Sequence, residues 1–252
     1  MCSPALPSNA FWIRRHDFLR QVGCEARSPA SSSIIMTRTS VTERNQTRAE
    51  EFANSLSHGI GFALAIASLP LLLAFAGGRT SAINIVAMSV FSATMMLLYG
   101  VSTLYHAVPQ GRAKAWLNRF DHAAIYLFIA GSYTPFVLGV LRGGWGWSLF
   151  GVVWGCGLLG FIAKLMNRLR HPLWSTGLYV AMGWVAVVAA APLVARMPGA
   201  GLALLVAGGV LYTAGAVVFS FDSRLRFGHF VWHLFVLGGS ACHFFAVLGY
   251  AQ

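Results

Sequence analysis

Two histidines four residues apart, His229 and His233, open the last long apolar stretch of this chain. On a helix that spacing puts both imidazoles on one face, about 6 Å apart along the axis, so both can hold one small ion. A third imidazole from another segment would leave a fourth position open to water, the pattern of a catalytic zinc. His106, closing another apolar stretch, is the best third ligand. Asp121 is the single acidic residue between Glu51 and Asp222. A carboxylate there could hold water at the open position or act as its base. Ser102 lies one turn deeper than His106 on the same face. His58 and His122 sit at comparable boundaries. His58 is read as a supporting or satisfied polar residue, His171 as solvated in a basic loop. His243 lies about 15 Å along the helix from His233, too far to share its ion, and is read as a core polar residue or part of a deeper cavity. Without a metal, the histidines would be interfacial residues bonded to neighbours. Asp121 would then cap the third helix, a role it can combine with one in the site, and Ser102 would bond its own backbone.

Such residues need a scaffold that gathers the ends of remote stretches, and the composition supplies one. Hydrophobic residues make up 57% of the 252 and charged ones 10%, with mean hydropathy +0.65, whereas a soluble domain is about a quarter charged. Seven segments reach the roughly 20 apolar residues that span a bilayer: Phe52–Ala76, Ile83–His106, His122–Leu141, Trp145–Leu165, Leu173–Val194, Ala200–Phe221 and His229–Tyr250. Backbone polar groups in lipid must be satisfied within the segment, so each is expected to be a helix, and short gaps make neighbours antiparallel. The expected class is an all-α, seven-transmembrane helix bundle over residues 51–252. Pro70, Pro135 and Pro192 are expected to kink their spans, and Gly151-Val-Val-Trp-Gly155 to pack inside the bundle.

The net charge of +11 does not point to nucleic acid, because the Lys and Arg residues lie singly or in small groups between apolar runs. They set an orientation instead. Arg112, Lys114 and Arg119 follow the second span; Lys164, Arg168 and Arg170 the fourth; Arg224 and Arg226 the sixth. The alternate gaps hold one each, Arg79, Arg142 and Arg196. The positive-inside rule then puts the N-terminus in the cytoplasm and the C-terminus outside. All the candidate residues except His171 and His243 fall at or near the cytoplasmic ends of their spans. Ionisable groups at membrane depth are costly, which makes a functional site the default reading. Trp116, Trp145, Trp147 and Trp174 lie near boundaries, as interfacial aromatics do.

Residues 1–50 are polar and Ser- and Arg-rich, and are expected to form a disordered cytoplasmic tail. Arg14-Arg15-His16-Asp17-Phe18-Leu19-Arg20 has a faint likeness to a twin-arginine signal, but no apolar stretch follows it. Translation could begin at Met36 as well as Met1. The four cysteines, Cys2, Cys24, Cys156 and Cys242, show neither metal-type pairing nor a disulfide framework.

Several motifs taken together resemble a known family: Asn54-Ser-Leu-Ser-His58-Gly59, then Ser102-Thr-Leu-Tyr-His106, then Asp121-His122-Ala-Ala-Ile-Tyr with Gly131-Ser-Tyr-Thr-Pro135, then His229-Phe-Val-Trp-His233 continuing to His243-Phe. This pattern, over roughly Glu50 to Tyr250, is similar to the hemolysin III family, the bacterial branch of the progestin and adipoQ receptor superfamily. The resemblance implies seven helices with the N-terminus inside and zinc on His106, His229 and His233. It implies Asp121 in contact with water at the zinc and Ser102 in the site. The spacing from His106 to Asp121 is slightly shorter than in the receptors. The resemblance also implies a multi-pass protein of the bacterial plasma (inner) membrane, with membrane lipids as partners. His58 and His122 belong to the bacterial pattern without a role to carry over.

Two functions compete. One, implied by the resemblance because the wider superfamily includes metal-dependent lipid amidases, is a zinc-dependent hydrolase acting on lipid amides or esters, with Asp121 as proton acceptor and Ser102 stabilising the oxyanion. The other is a non-catalytic sensor or homeostasis protein in which zinc ties helices together. A lipid-sized cavity reaching the metal would separate them. A cytolysin is a weaker reading, since no secretion signal or amphipathic soluble form is visible. A bis-histidine haem is weaker still, because His229 and His233 on one helix suit a small ion.

Overall fold

Apolar length becomes helix at all seven expected stretches. The computed structural model describes residues 46–77, 80–169 and 171–251, all within the unit Glu43–Gln252, and no strand occurs among them. The helices are α1 (Arg48–Ala76), α2 (Ala82–Ala107), α3 (Arg112–Pro135), α4 (Gly143–Leu165), α5 (Pro172–Gly183), α6 (Ala190–Arg196), α7 (Gly199–Phe219) and α8 (Gly228–Tyr250). Seven spans result because α3 continues through a π-helical stretch, Phe136–Leu141, and because α5, a 3₁₀ stretch Val185–Ala189 and α6 together make the fifth span. The protein is a multi-pass membrane protein of the all-α class.

The observed ends agree with the expected ones to within four residues, except at the third span, which begins ten residues early at Arg112. Arg112–Phe120 is helical but too polar for an apolar-length criterion to include. Asp121 and His122 therefore lie more than two turns inside α3, and Asp121 is not its cap; the N-cap is Gly111, with no side-chain cap bond. Of the expected tail, residues up to 45 lie outside the described residues. The described end at 46–50 instead starts α1 with a capping box: the Thr47 hydroxyl accepts from Glu50 N–H, and the Glu50 carboxylate accepts from Thr47 N–H.

The bundle is built around α3, whose most apolar window is 72% buried, against 11–44% for the other spans. α3 packs between α2 and α4, α1 between α2 and α8, and α7 against α8. Phe91, Met95, Leu98, Tyr99, Phe128, Trp232 and Val236 form the apolar centre where α2, α3 and α8 meet. Close approach depends on small residues: Gly131 of α3 leaves no room for a Cβ against Thr94 of α2. The Gly151/Gly155 pair does not pack inside the bundle as expected; both residues are exposed, with nothing near a would-be Cβ, and Gly157 and Gly160 face α3 instead.

Two breaks in helix geometry shape the interior. Pro135 removes a ladder donor, and the chain passes into the π-helical stretch behind it. Between α5 and α6, the Tyr133 hydroxyl accepts from Ala186 N–H (2.9 Å) and lies within donor reach of the Met182 and Gly183 carbonyls (3.0 and 2.7 Å). One side chain of α3 thus satisfies backbone groups that the interrupted span cannot satisfy itself. The α5–α6 segment otherwise meets the bundle lightly, touching α3 and α7. A cavity of about 360 Å³ lies there.

Candidate metal centre

His106 at the end of α2, and His229 and His233 in the first turns of α8, are all buried and form the one three-residue group of metal-ligand type among the described residues. One nitrogen from each lies within 4.8 Å of the others. Three such points share a centre no farther than about 2.8 Å from each, against about 2.0–2.1 Å for a Zn–N bond, so shifts of under an ångström close the site. The rings meet edge to face, with centroids 4.8–5.1 Å apart and planes 60–72° apart, as expected of imidazoles pointing at a common centre.

The hydrogen bonds on the far side of each ring decide which nitrogen is bare. His106 Nδ1 donates to Glu51 Oε2 (2.8 Å), and His229 Nδ1 donates to Asp222 Oδ2 (2.9 Å). His233 Nδ1 faces Ser57 Oγ at 3.1 Å. The Ser57 hydrogen is committed to the Asn54 carbonyl (2.9 Å), so Ser57 Oγ accepts from His233 Nδ1–H. In a neutral ring with Nδ1 protonated, Nε2 is a lone pair. All three Nε2 atoms are enclosed and without a hydrogen-bond partner. Orphaned buried acceptors are costly, and three converging ones fit a cation. Outer partners that fix the tautomer and aim of each ring are the usual companions of a metal-binding histidine.

The first turn of α1 organises this layer. Glu51 also accepts from Lys114 Nζ (2.9 Å), which in turn donates to the carbonyls of Tyr105 and Val108. Lys114 is therefore a buried tie between α1, the end of α2 and α3 rather than a loop charge. Glu50 closes the capping box of α1 and also accepts from Phe227 N–H at the start of α8 (2.9 Å). Phe227 has φ 56°, a left-handed conformation that costs a non-glycine residue energy.

Asp121 and Ser102 reach the same place. Ser102 is fully buried, its hydroxyl 2.7 Å from His58 Nδ1. Asp121 Oδ2 is buried without a partner. His58 is not in the three-histidine group; its ring lies parallel on His233 (centroids 3.4 Å, 7°), and its Nε2 too is enclosed without a partner. His122 turns away: its Nδ1 bonds the Asn118 carbonyl (2.8 Å) and its ring faces Phe219 of α7. His243 lies outside the group and lines the cavity at a deeper level. His171 is exposed. Sequence reasoning missed Glu51, Asp222 and Ser57 as partners of the ligands. A signal for two of them was present: every acidic residue after position 43, Glu50, Glu51, Asp121 and Asp222, belongs to this site.

The cavity begins at Asp121, His58 and His122 and continues along Phe136, Leu205 and Tyr212 to His243. Its walls are overwhelmingly apolar. Trp184, Val187, Val194 and Val206 line it and are also exposed on the outer surface, so it opens sideways between the α5–α6 segment and α7. At that opening Trp184 Nε1 donates to Thr213 Oγ1 (3.0 Å).

Comparison with known proteins matches this architecture to one group. The profile of a family described as haemolysin-III related matches residues 46–244. The chain is 45% identical over 201 residues to the Hemolysin-3 homolog of Bacillus subtilis (strain 168), covering 80% of this chain and 94% of that protein. It is 44% identical over 210 residues to Hemolysin-3 of Bacillus cereus, covering 83% and 95%. It is 29% identical over 171 residues to the human Monocyte to macrophage differentiation factor, covering 64% and 68%, a more distant likeness that supports the link to the progestin and adipoQ receptor superfamily. With the match spanning nearly all of the seven-helix unit and its buried histidines, this chain belongs to the hemolysin III family.

Proposed function

We propose that this protein is a zinc-dependent hydrolase of lipid amides or esters, working from the cytoplasmic leaflet of the bacterial plasma membrane. The observation that carries the reading is the cavity: an apolar volume of about 360 Å³ with a side opening, lined by Asp121 and by His58, whose ring stacks on His233. A purely structural metal needs a closed coordination shell and has no use for such an approach. Imidazole ligation favours zinc among common ions, and the excess of Lys and Arg at the ligand-bearing end favours its lying in the cytoplasm. Membrane lipids, rather than nucleic acid, suit the apolar walls.

When bound, zinc would polarise a carbonyl and bring the pKa of a water towards about 7. The chain's own groups divide the remaining work. The enclosed Oδ2 of Asp121 accepts the proton of the attacking water. Ser102, buried with its hydroxyl 2.7 Å from His58 Nδ1, stabilises the developing oxyanion. The apolar walls hold the acyl chain and exclude bulk water.

The test uses purified protein in lipid nanodiscs, with metal content measured by mass spectrometry and release of free fatty acid measured from an N-acyl amide and from an ester. One zinc per chain and release from at least one substrate are expected. Full metal loading without release from either would leave a sensing or structural role in its place.

A further inference from the structure

His243 is the one histidine of α8 that the metal centre leaves unused, and it lines the deep part of the cavity. Its ring is placed by α7. A Cβ on Gly208 would lie 2.5 Å from Cδ2 and 2.6 Å from Nε2 of His243, so this edge of the ring takes the space where a side chain would begin. A polar atom beside that position can reach the carbonyl three residues back, as the hydroxyl of a helical serine does, and the Leu205 carbonyl is the backbone partner of the ring. A carbonyl only accepts, so Nε2 carries the hydrogen and Nδ1 of the neutral ring is a bare acceptor. Nδ1 belongs to the opposite edge, turned from Gly208, and is buried without a partner. Phe136 and Tyr212, which also line the cavity, meet the ring edge to face, with centroids 6.5 and 5.3 Å away.

The other polar side chains at this depth of the cavity have spent their hydrogens. Ser132 donates to the Ile129 carbonyl, Tyr133 to the Gly183 carbonyl, Trp184 to Thr213, and Thr213 to the Gly209 carbonyl. The Ser240 hydrogen goes to the Val236 carbonyl, so Tyr212 donates to Ser240. Among the described residues the deep cavity therefore offers a bare acceptor and no free donor. A ligand carbonyl there finds nothing to bond, and an ammonium is costly at membrane depth. A hydroxyl supplies the missing hydrogen. We infer that His243 Nδ1 accepts the O–H of a hydroxylated acyl chain, so that the cavity selects such chains over plain ones. His243 follows His233 by ten positions, about 15 Å along α8. Carbon–carbon bonds of about 1.5 Å at tetrahedral angles advance about 1.25 Å per carbon, which puts the hydroxyl about twelve carbons from a carbonyl held at the metal. This rests on the hydrolase reading for the carbonyl end of the ligand and adds recognition of the chain. A site built to bond a hydroxyl disfavours the analogue lacking it, because its own buried acceptor is then left unpaired.

The test compares the N-hexylamides of 12-hydroxy-, 6-hydroxy- and 12-oxooctadecanoic acid. Binding of intact probe to the metal-loaded protein in nanodiscs is measured in the cold, and release of fatty acid on warming. The two hydroxy isomers carry the same groups and partition alike into the bilayer, so their ratio reports the protein. In the wild type the 12-hydroxy chain should bind about five-fold more tightly than the 6-hydroxy chain, the value of one net hydrogen bond. The 12-oxo chain, which cannot donate, should show no such gain. His243→Leu should bring the hydroxy isomers to equal affinity, and His243→Asn, whose amide oxygen can stand near the Nδ1 position, should return the preference. Zinc content measured alongside shows that each variant has folded. Equal binding of the hydroxy isomers by the wild type, a preference that survives in His243→Leu, or a 12-oxo chain bound as tightly as the 12-hydroxy chain overturns the assignment. Preference for the 12-hydroxy chain without release from any probe keeps the His243 contact and removes the hydrolase; release from all three without preference does the reverse.

Discussion

Replacing Glu51 by Gln changes a side chain that touches no metal, yet it should weaken the metal site measurably. Glu51 uses both oxygens: Oε2 accepts from His106 Nδ1 at 2.8 Å and Oε1 from Lys114 Nζ at 2.9 Å. A glutamine has one acceptor and one donor. Whichever way its amide turns, an N–H meets either the imidazole N–H or the ammonium. The side chain is only 18% exposed, so water does little to relieve that clash. If the amide oxygen stays with Lys114, His106 loses its aim and its tautomer, and Nε2 is no longer a fixed lone pair. Outer partners of metal-bound histidines are worth about 10–100-fold in affinity, or about 1.4–2.8 kcal/mol. That range agrees with the roughly 1.5–3 kcal/mol of a charge-assisted hydrogen bond. The assay is zinc competition against a chromophoric chelator, with protein in detergent. Glu51→Gln should bind 10–100-fold more weakly and His106→Ala should retain no stoichiometric metal. An unchanged dissociation constant in Glu51→Gln, beside a dead His106→Ala, would refute the claim that the far-side hydrogen bonds prepare the ligands.

Other expectations follow from the same geometry. Asp121→Asn should keep its zinc, as measured by mass spectrometry, and lose fatty-acid release by at least about 10²-fold, the lower range of a general base; full release with metal bound would remove Asp121 from the chemistry. His233→Ala should lose the metal altogether. A reporter fused after Gln252 should read as external in intact cells, and a cytoplasmic signal would invert the orientation drawn from the Lys and Arg residues. Gly131→Ala should lower the thermal midpoint in detergent, because its Cβ would run into Thr94, and adding Thr94→Ala should recover part of the loss.

Much of this molecule can be read in advance from its residues. Apolar length is a one-dimensional signal, and in lipid it leaves the backbone little choice but helix; the seven spans were legible for that reason. That His106, His229 and His233 come together as a group able to hold a metal was legible too, because a spacing of four on one helix and a shared depth on another are fixed by helix geometry and loop charge. The start of α3 was not, since Arg112–Phe120 is helical yet too polar to read as part of a span, and Lys114 alone among its side chains is buried. Nor were the partners of the ligands: Ser57 meets His233 across 176 positions, a contact set by how α1 and α8 lie together. The Gly151/Gly155 pair shows the converse. Its spacing suits close packing, but which face of α4 turns inward is decided by Tyr126 against Gly160.

The double use of Glu50 and Glu51 has a consequence for how the protein is made. These two carboxylates in the first turn of α1 hold the end of α2 and the start of α8, so the first spanning helix is the jig for the last. His106 precedes His229 by 123 positions, which at about 5–20 residues per second is about 6–25 s of translation. During that interval His106, Glu51 and Lys114 can already be paired, while the other two imidazoles do not yet exist. The centre can close only when the final helix has left the ribosome and entered the bundle. Pulse-labelled zinc retention is therefore expected only in full-length product, because a chain stalled or truncated before Gly228 keeps one imidazole of three.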